Sequence, residues 1–144
     1  MLRAIIFDFN KTLYSPDSGN LFPGVKDLLS ELKTQSGLTL GLISYGGDYR
    51  VKLIEGLGIL SLFDWFKFVE EKSTEDFLEF SKKFQILPRS ILVVGDMLEE
   101  EIKIAKFLTM KTAWIKNSFQ GESSIKPDYQ LNSVSEIREL ISLF

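Results

Sequence analysis

The hydrophobic positions along the chain follow two alternating patterns, which predict strands and helices in turn. Short continuous apolar runs predict buried strands, and they cover residues 2–7, 38–43, 65–69, 91–94 and 111–115. Apolar residues spaced three or four positions apart predict helices, over residues 25–33, 49–57, 73–84, 98–108 and 135–144. Because parallel strands need crossovers, the alternation predicts a parallel sheet that is covered by helices on both faces.

Composition and charge narrow the class of protein to a small soluble domain. The chain has 144 residues, of which 44% are hydrophobic and 26% are charged, as expected for one packed core. The net charge of −3 argues against a nucleic-acid partner. No apolar run approaches the roughly 20 residues that span a bilayer, so we expect no membrane partner. Because the first residues lead into a strand without a secretory leader, we expect a cytoplasmic protein.

Two residue types are absent from the sequence. Without cysteine there is no disulfide, thiolate nucleophile or sulfur-bound zinc, and without histidine the commonest general base is missing. Chemistry therefore falls to Asp, Glu, Lys, Ser, Thr or Tyr. A bound metal would need oxygen ligands, which favours Mg²⁺ or Mn²⁺ over zinc.

Polar residues stand where three of the predicted strands end. They are Asp8, Ser44 and Asp96, and each alone is also typical of a turn or a helix cap. Because the carboxyl ends of parallel strands meet at one edge of a sheet, together they indicate a ligand site. Two carboxylates can hold a divalent cation, a hydroxyl and free turn amides can hold phosphate oxygens, and a lysine such as Lys72 can neutralise charge.

The first and last of these sites resemble motifs of the haloacid dehalogenase-like (HAD) hydrolases. The first motif of that family is Asp-x-Asp-x-Thr, and this chain has Asp8-x-Asn10-x-Thr12. Gly95-Asp96, with acids four and five positions after the aspartate, resembles the fourth motif. The resemblance covers nearly the whole chain. It implies the HAD-like fold, a three-layer α/β/α sandwich with a mainly parallel, Rossmann-like sheet of about five strands. It also implies that Asp8 attacks phosphorus to form an aspartyl-phosphate, and that Asp8, Asp96 and the backbone carbonyl of Asn10 bind Mg²⁺.

The second and third motifs of the family are matched more loosely. An apolar strand that ends in Ser44 is similar to the second motif, and the resemblance implies that Ser44 and the following amides, from Tyr45 onwards, bind phosphoryl oxygens. Lys72 stands at the third-motif position, where it would screen the charge of nucleophile and phosphate. Either Glu100 or Glu101 would orient Lys72 or metal-bound water, and we favour Glu101 from the residues that follow it.

The first motif departs from the family pattern at Asn10. In phosphatases of this family the second aspartate protonates the leaving alcohol and later activates water, and an amide has no titratable proton for either step. Acid–base catalysis of this kind is typically worth about 10²–10⁴-fold. Three explanations stay open. The chain is a weak phosphatase assisted by Glu100 or a water, a phosphate-binding relative without turnover, or a protein with an engineered substitution.

The leading hypothesis is a Mg²⁺-dependent phosphohydrolase that works through Asp8 and is weakened by Asn10, with a phosphorylated substrate that the sequence does not identify. The alternative from another class is a non-catalytic phosphate- or protein-binding HAD-like domain. A haloacid dehalogenase is less well supported, because that branch of the family has Tyr-Gly where this chain has Asn10-Lys11.

Many HAD hydrolases carry a cap domain in one of two intervals, and both are short here. Residues 13–21 leave room for a flap or hairpin, and residues 44–65 for one helix, but a folded cap needs several tens of residues. We therefore predict a single capless domain over residues 1–144 with an open site. An open site suits a macromolecular substrate, or a partner such as a second copy of the chain that acts as a lid. The candidate contact patch consists of Phe63, Trp65, Phe66 and Phe68, although core packing also explains aromatic residues there.

Overall fold

The computed structural model describes residues 1–117 and 121–144, which form a parallel sheet covered by helices. The strands are β1 (Ala4–Phe7), β2 (Tyr14–Ser15), β3 (Asn20–Leu21), β4 (Thr39–Tyr45), β5 (Trp65–Val69), β6 (Ile91–Gly95), β7 (Lys111–Ile115) and β8 (Tyr129–Leu131). Six of them form the main sheet in the order β5-β4-β1-β6-β7-β8, and every neighbouring pair is parallel. This confirms the predicted fold class. The sheet has one strand more than expected, because the three residues of β8 are too few to show a periodic pattern.

The α-helices lie between the strands, as the alternating pattern predicts. They are α1 (Val25–Thr34), α2 (Asp48–Gly56), α3 (Thr74–Phe84), α4 (Lys103–Phe107) and α5 (Ile137–Ile141). Two are shorter than predicted. The segment before α4, Leu98–Ile102, is kinked at Glu100, where the backbone is not helical, and the segment before α5 is a 3₁₀ turn, Val134–Glu136. Periodicity alone does not distinguish such kinked or tight turns from a regular helix.

The central strand β1 explains why the sheet is covered on both faces. Its residues alternate between two buried clusters, and all four of them are at most 1% exposed. Ile5 and Phe7 pack with α1, α2 and α5, whereas Ala4 and Ile6 pack with α3 and α4. A strand buried on both sides must be apolar throughout, which is why its sequence is a continuous hydrophobic run.

The site region is set by the position of β1 within the sheet. The chain leaves β1 towards β4 on one side, and β6 returns on the other, so the strand order switches there. Ligands of open α/β sheets bind at the carboxyl ends of the strands beside such a switch. The two intervals that hold caps in related proteins contain the antiparallel β2–β3 hairpin in one case, and α2 with a short turn in the other. The assignment of one capless domain stays a prediction.

The surface of the described residues carries part of the predicted aromatic patch. Phe66 on the edge strand β5 is 44% exposed, whereas Phe63 is buried in the core. A hollow of about 400 Å³ adjoins both residues, but no cluster of chemically reactive side chains lines it. None of the described helices is long and apolar enough to cross a membrane, and the cytoplasmic location stays a prediction.

Gly41 in β4 should be sensitive to substitution, because the ring of Phe80 from α3 lies against its backbone. A Cβ atom at Gly41 would lie 2.6 Å from Phe80 Cε2. We expect Gly41→Ala to lower the free energy of unfolding by about 1–3 kcal/mol through overpacking, as measured by urea denaturation. The matched control is Gly56→Ala at the end of α2, where a Cβ atom would contact nothing within 4 Å. Equal stability of Gly41→Ala and the control would show that the sheet and α3 are not packed this closely.

Candidate active site

Asp8 lies where β1 ends, and the loop after it is a tight turn. The Asp8 amide donates to the carbonyl of Val94 at 2.9 Å, while three successive amides, of residues 12, 13 and 14, converge on the carbonyl of Phe9. Thr12 Oγ1 donates to Asp8 Oδ2 at 3.2 Å, and the carboxylate is only 6% exposed. Lys11 has a positive φ of 60°, a conformation that L-residues seldom adopt outside tight turns and functional loops. The turn therefore fixes the Asp8 carboxylate at the carboxyl end of the sheet.

Lys72 is buried between two carboxylates. Its Nζ lies 2.7 Å from Asp8 Oδ1 and 2.7 Å from Glu101 Oε1. The position of Lys72 follows from the start of α3, where Ser73 is the N-cap and the Ser73 amide donates to Asp76 Oδ2 at 2.9 Å. Burial disfavours the charged form, but the two carboxylates outweigh it, and the pKa of Lys72 lies above its usual value. The side chain is thus a fixed cation at neutral pH.

Glu101 reaches Lys72 because Gly95 leaves room for it. A Cβ atom at Gly95 would lie 2.4 Å from Glu101 Cγ, so any larger residue would displace the glutamate. The second carboxylate oxygen of Glu101 accepts from the Met97 amide at 2.7 Å. Glycine before the aspartate of the fourth motif therefore has a physical reason. Between the two glutamates that the sequence leaves open, it is Glu101 that contacts Lys72.

Asp96 completes a group of three buried carboxylates. One oxygen from each of Asp8, Asp96 and Glu101 lies within 4.8 Å of the others. Burial and the charge of Asp8 raise the pKa of Asp96 to about 8. The same two causes raise the pKa of Glu101 to about 7, against the opposing effect of Lys72. With all three carboxylates ionised, the single ammonium of Lys72 would leave an excess of negative charge. The raised pKa values reflect this repulsion, and a bound cation would relieve it and favour the ionised forms.

A small open cavity adjoins these residues. It has a volume of about 160 Å³ and is lined by Asp8, Asn10, Lys11, Tyr45, Lys72, Asp96, Met97 and Glu100. Tyr45, the last residue of β4, donates a hydrogen bond through its hydroxyl to Glu100 Oε1. The Lys72 ammonium lies 4.9 Å from the centre of the Tyr45 ring. Nearly all of the predicted site residues are therefore brought to one cavity, and Lys11 and Met97 join them without a sequence signal of their own.

Ser44 is placed differently from the other predicted residues. It is fully buried within β4, which continues two residues further than predicted, and it does not line the cavity itself. Its hydroxyl donates to the carbonyl of Tyr45 at 2.9 Å and accepts from Arg50 Nη1 at 3.2 Å. Arg50 was missed by sequence reasoning, because an arginine in the first turn of a helix is ordinary. Its guanidinium lies 5.2 Å from the centre of the Phe9 ring, so Arg50 joins α2 to the loop after Asp8.

Known proteins resemble this chain in sequence and in structure. A curated relative, the glyceraldehyde 3-phosphate phosphatase of Pyrococcus furiosus, is 28% identical over 131 residues, which cover 83% of this chain and 53% of the relative. The chain thus spans about half the length of that relative. Among solved structures, a HAD phosphatase from Thermococcus onnurineus has a TM-score of 0.82 at 17% identity, covering 97% of this chain and 98% of the other. No protein-family model matches the chain.

The chain has the HAD-like fold. Two further structures with this fold carry different descriptions. The putative HAD-hydrolase YfnB from Bacillus subtilis, bound to magnesium, has a TM-score of 0.75 at 21% identity, covering 85% of this chain and 57% of YfnB. The L-2-haloacid dehalogenase from Xanthobacter autotrophicus has a TM-score of 0.83 at 12% identity, with 99% of each chain covered. The resemblance drawn from the motifs is confirmed for the fold. Because both phosphatases and dehalogenases share the HAD-like fold, the reaction has to be inferred from the site.

The raised pKa values of Asp96 and Glu101 predict how stability depends on pH without metal. A carboxyl group whose pKa is higher in the folded chain stabilises the fold fully at pH values below its unfolded pKa of about 4. That stability is lost as the pH rises through the folded values of about 8 and about 7. In EDTA, the free energy of unfolding should therefore fall between about pH 5 and pH 8.

The matched control for this titration is Asp96→Asn. The amide removes the carboxyl group with the larger shift, so the decline should become shallower when stability is followed by chemical denaturation across the same pH range. A free energy of unfolding that stays constant or rises from pH 5 to pH 8 in the parent chain would contradict the described charge cluster.

Proposed function

We propose that this chain is a Mg²⁺-dependent phosphohydrolase that uses Asp8 as its nucleophile. The observation that carries the proposal is the environment of the Asp8 carboxylate at the edge of an open cavity. One of its oxygens is held by the Lys72 ammonium at 2.7 Å and the other by the Thr12 hydroxyl at 3.2 Å. With no histidine or cysteine in the sequence, an oriented carboxylate is the best available nucleophile.

The donor set of the site fits Mg²⁺. Asp8 and Asp96 would supply carboxylate oxygens and Asn10 its backbone carbonyl, all of them hard oxygen ligands. Glu101 does not line the cavity, and its oxygens accept from Lys72 and from the Met97 amide, so this residue would orient the lysine instead. When bound, the ion would neutralise the excess charge of the cluster and polarise a phosphoryl group. The solved YfnB neighbour, described as bound to magnesium, supports the assignment.

The phosphoryl group would lie between Lys72 and the start of α2. The first amides of a helix have no acceptor within it and can bind an anion. Here α2 follows Tyr45, Gly46 and Gly47 at the end of β4. Ser44 would position this turn through the bond that its hydroxyl donates to the Tyr45 carbonyl, and it would have to release that carbonyl to donate to a phosphoryl oxygen. Lys72 would screen the charge that Asp8 and the phosphate bring together.

Phosphate monoesters of small molecules are the substrate class that we propose. The curated relative is described as acting on glyceraldehyde 3-phosphate, and it supports this class without identifying the compound. The Asn10 side chain has no proton to transfer, so leaving groups of low basicity should react more readily. Because the cavity is open, either the substrate itself or a partner would have to exclude water from it. A second copy of this chain is our candidate for that partner.

A non-catalytic phosphate- or protein-binding domain is the second candidate function. Asn10 is the observation that favours it, because the residue removes the usual acid and base while leaving the proposed metal site intact. The fold is also shared with a haloacid dehalogenase. A dehalogenase reaction is less well supported, because that branch of the family has Tyr-Gly where this chain has Asn10-Lys11.

Hydrolysis of p-nitrophenyl phosphate tests the proposal, because its leaving group needs little protonation. With MgCl₂ we expect turnover that EDTA abolishes and that Asp8→Asn lowers by at least about 10³-fold through loss of the nucleophile. Asn10→Asp should raise the turnover of an alkyl phosphate by up to about 10²-fold. If the folded parent chain and both variants hydrolyse neither ester with Mg²⁺, the enzyme hypothesis is wrong and the binding domain remains.

A further inference from the structure

Three consecutive glutamates precede α4, and each has different surroundings. Glu101 is buried against Lys72, and Glu99 is exposed and accepts from Ser123 Oγ at 3.0 Å. Glu100 has neither of these contacts. It lines the cavity that Asp8 and Asn10 also line. This carboxylate on the wall of the cavity is neither a proposed metal ligand nor the partner of Lys72, and the proposed function gives it no step.

The backbone explains why these neighbouring glutamates point in different directions. They lie in the turn Leu98–Ile102, which is kinked at Glu100, where φ is −120° and ψ is −105°, far from helical values. In a regular helix from Leu98, successive side chains would follow an even rotation. Here the irregular turn directs Glu101 inwards to Lys72 and leaves Glu100 facing the cavity.

Tyr45 fixes the carboxyl group of Glu100. The two residues are 55 positions apart in the chain, and the bond from the Tyr45 hydroxyl to Glu100 Oε1 joins the end of β4 to the turn. Burial and this bond raise the pKa of Tyr45, so the phenol remains protonated as the donor. Within residues 1–117 and 121–144, the other oxygen of Glu100 has no hydrogen-bond partner. Glu100 thus presents one oriented and one free oxygen to the cavity.

We propose that Glu100 is the general acid and base of this site, replacing the carboxyl group that Asn10 lacks, and that Tyr45 is its positioning residue. The inference rests on the proposed phosphohydrolase function. Asn10 and Glu100 line the same cavity of about 160 Å³, so a group bound to Asp8 there is accessible from either residue.

Glu100 alone can both give and recover the proton that the reaction needs. In the first step an Asp8 oxygen bonds to phosphorus, the bond from phosphorus to the leaving oxygen breaks, and protonated Glu100 gives its proton to that oxygen. In the second step Glu100 takes a proton from water, the water oxygen bonds to phosphorus, and the bond from phosphorus to Asp8 breaks. Glu100 is protonated again, and the products are the alcohol and inorganic phosphate.

Glu100→Gln tests this role against the matched control Glu99→Gln, which changes the adjacent glutamate in the same way. With glycerol 3-phosphate and MgCl₂, we expect Glu100→Gln to lower kcat by at least about 10²-fold and Glu99→Gln to stay within about twofold of the parent. With p-nitrophenyl phosphate, the first step needs no acid but the second still needs a base. Glu100→Gln should therefore release a burst of about one p-nitrophenolate per chain before slow turnover.

A double variant keeps the test independent of damage to the fold. If Glu100 replaces the missing carboxyl group, Asn10→Asp should restore the turnover of glycerol 3-phosphate in the Glu100→Gln background by at least about 10-fold. Because Tyr45 acts through Glu100, adding Tyr45→Phe to Glu100→Gln should cause no further loss. Losses that multiply in this pair would show that Tyr45 does not act by positioning Glu100.

The outcomes separate this inference from the proposed function. A parent chain that turns over both esters, together with a Glu100→Gln variant as active as Glu99→Gln, would overturn the role of Glu100 and leave the phosphohydrolase assignment intact. An Asp8→Asn variant that is as active as the parent would overturn the nucleophile, and with it both proposals.

Discussion

The ammonium group of Lys72, buried between Asp8 and Glu101, is the interaction on which the rest of the site depends. Its side chain is 1% exposed, and a charge so deeply buried is tolerated only with close partners of opposite sign. Four separate segments meet at this point: the end of β1, the start of α3, the Gly95 position of β6 and the turn before α4. Each has a local feature that positions it, namely the loop after Asp8, the Ser73 cap, the missing Cβ atom of Gly95 and the kink at Glu100.

The charge of this centre does not balance within the described residues. Lys72 offsets part of the negative charge, and the remaining carboxylates have raised pKa values because burial and mutual repulsion disfavour their ionised forms. Crowding of like charges lowers stability and is typical of functional sites, where a ligand restores the balance. The fold thus holds the carboxylates of Asp8, Asp96 and Glu101 close enough together that their oxygens lie within 4.8 Å of one another.

Much of this could be predicted from the sequence, because the strands are buried on both faces and are therefore continuous apolar runs. Asp8 and Asp96 end two such runs that are adjacent in the sheet, so their proximity follows from the topology. The sequence favours Glu101 over Glu100 as the partner of Lys72, but the different directions of the two side chains depend on a kink at Glu100 that periodicity does not reveal. Arg50 and the short strand β8 were missed for a similar reason. A single arginine and three strand residues carry no pattern, and only their tertiary contacts distinguish them.

The central claim is that the excess carboxylate charge around Lys72 forms a divalent cation site, and calorimetric titration of MgCl₂ into the metal-free chain at neutral pH tests it most directly. The arrangement predicts a saturable binding heat with one ion per chain, and a large loss of affinity in Asp96→Asn, which removes a proposed ligand while keeping its shape. A folded parent chain that shows no saturable binding, or that binds Mg²⁺ no more tightly than Asp96→Asn, would contradict the account.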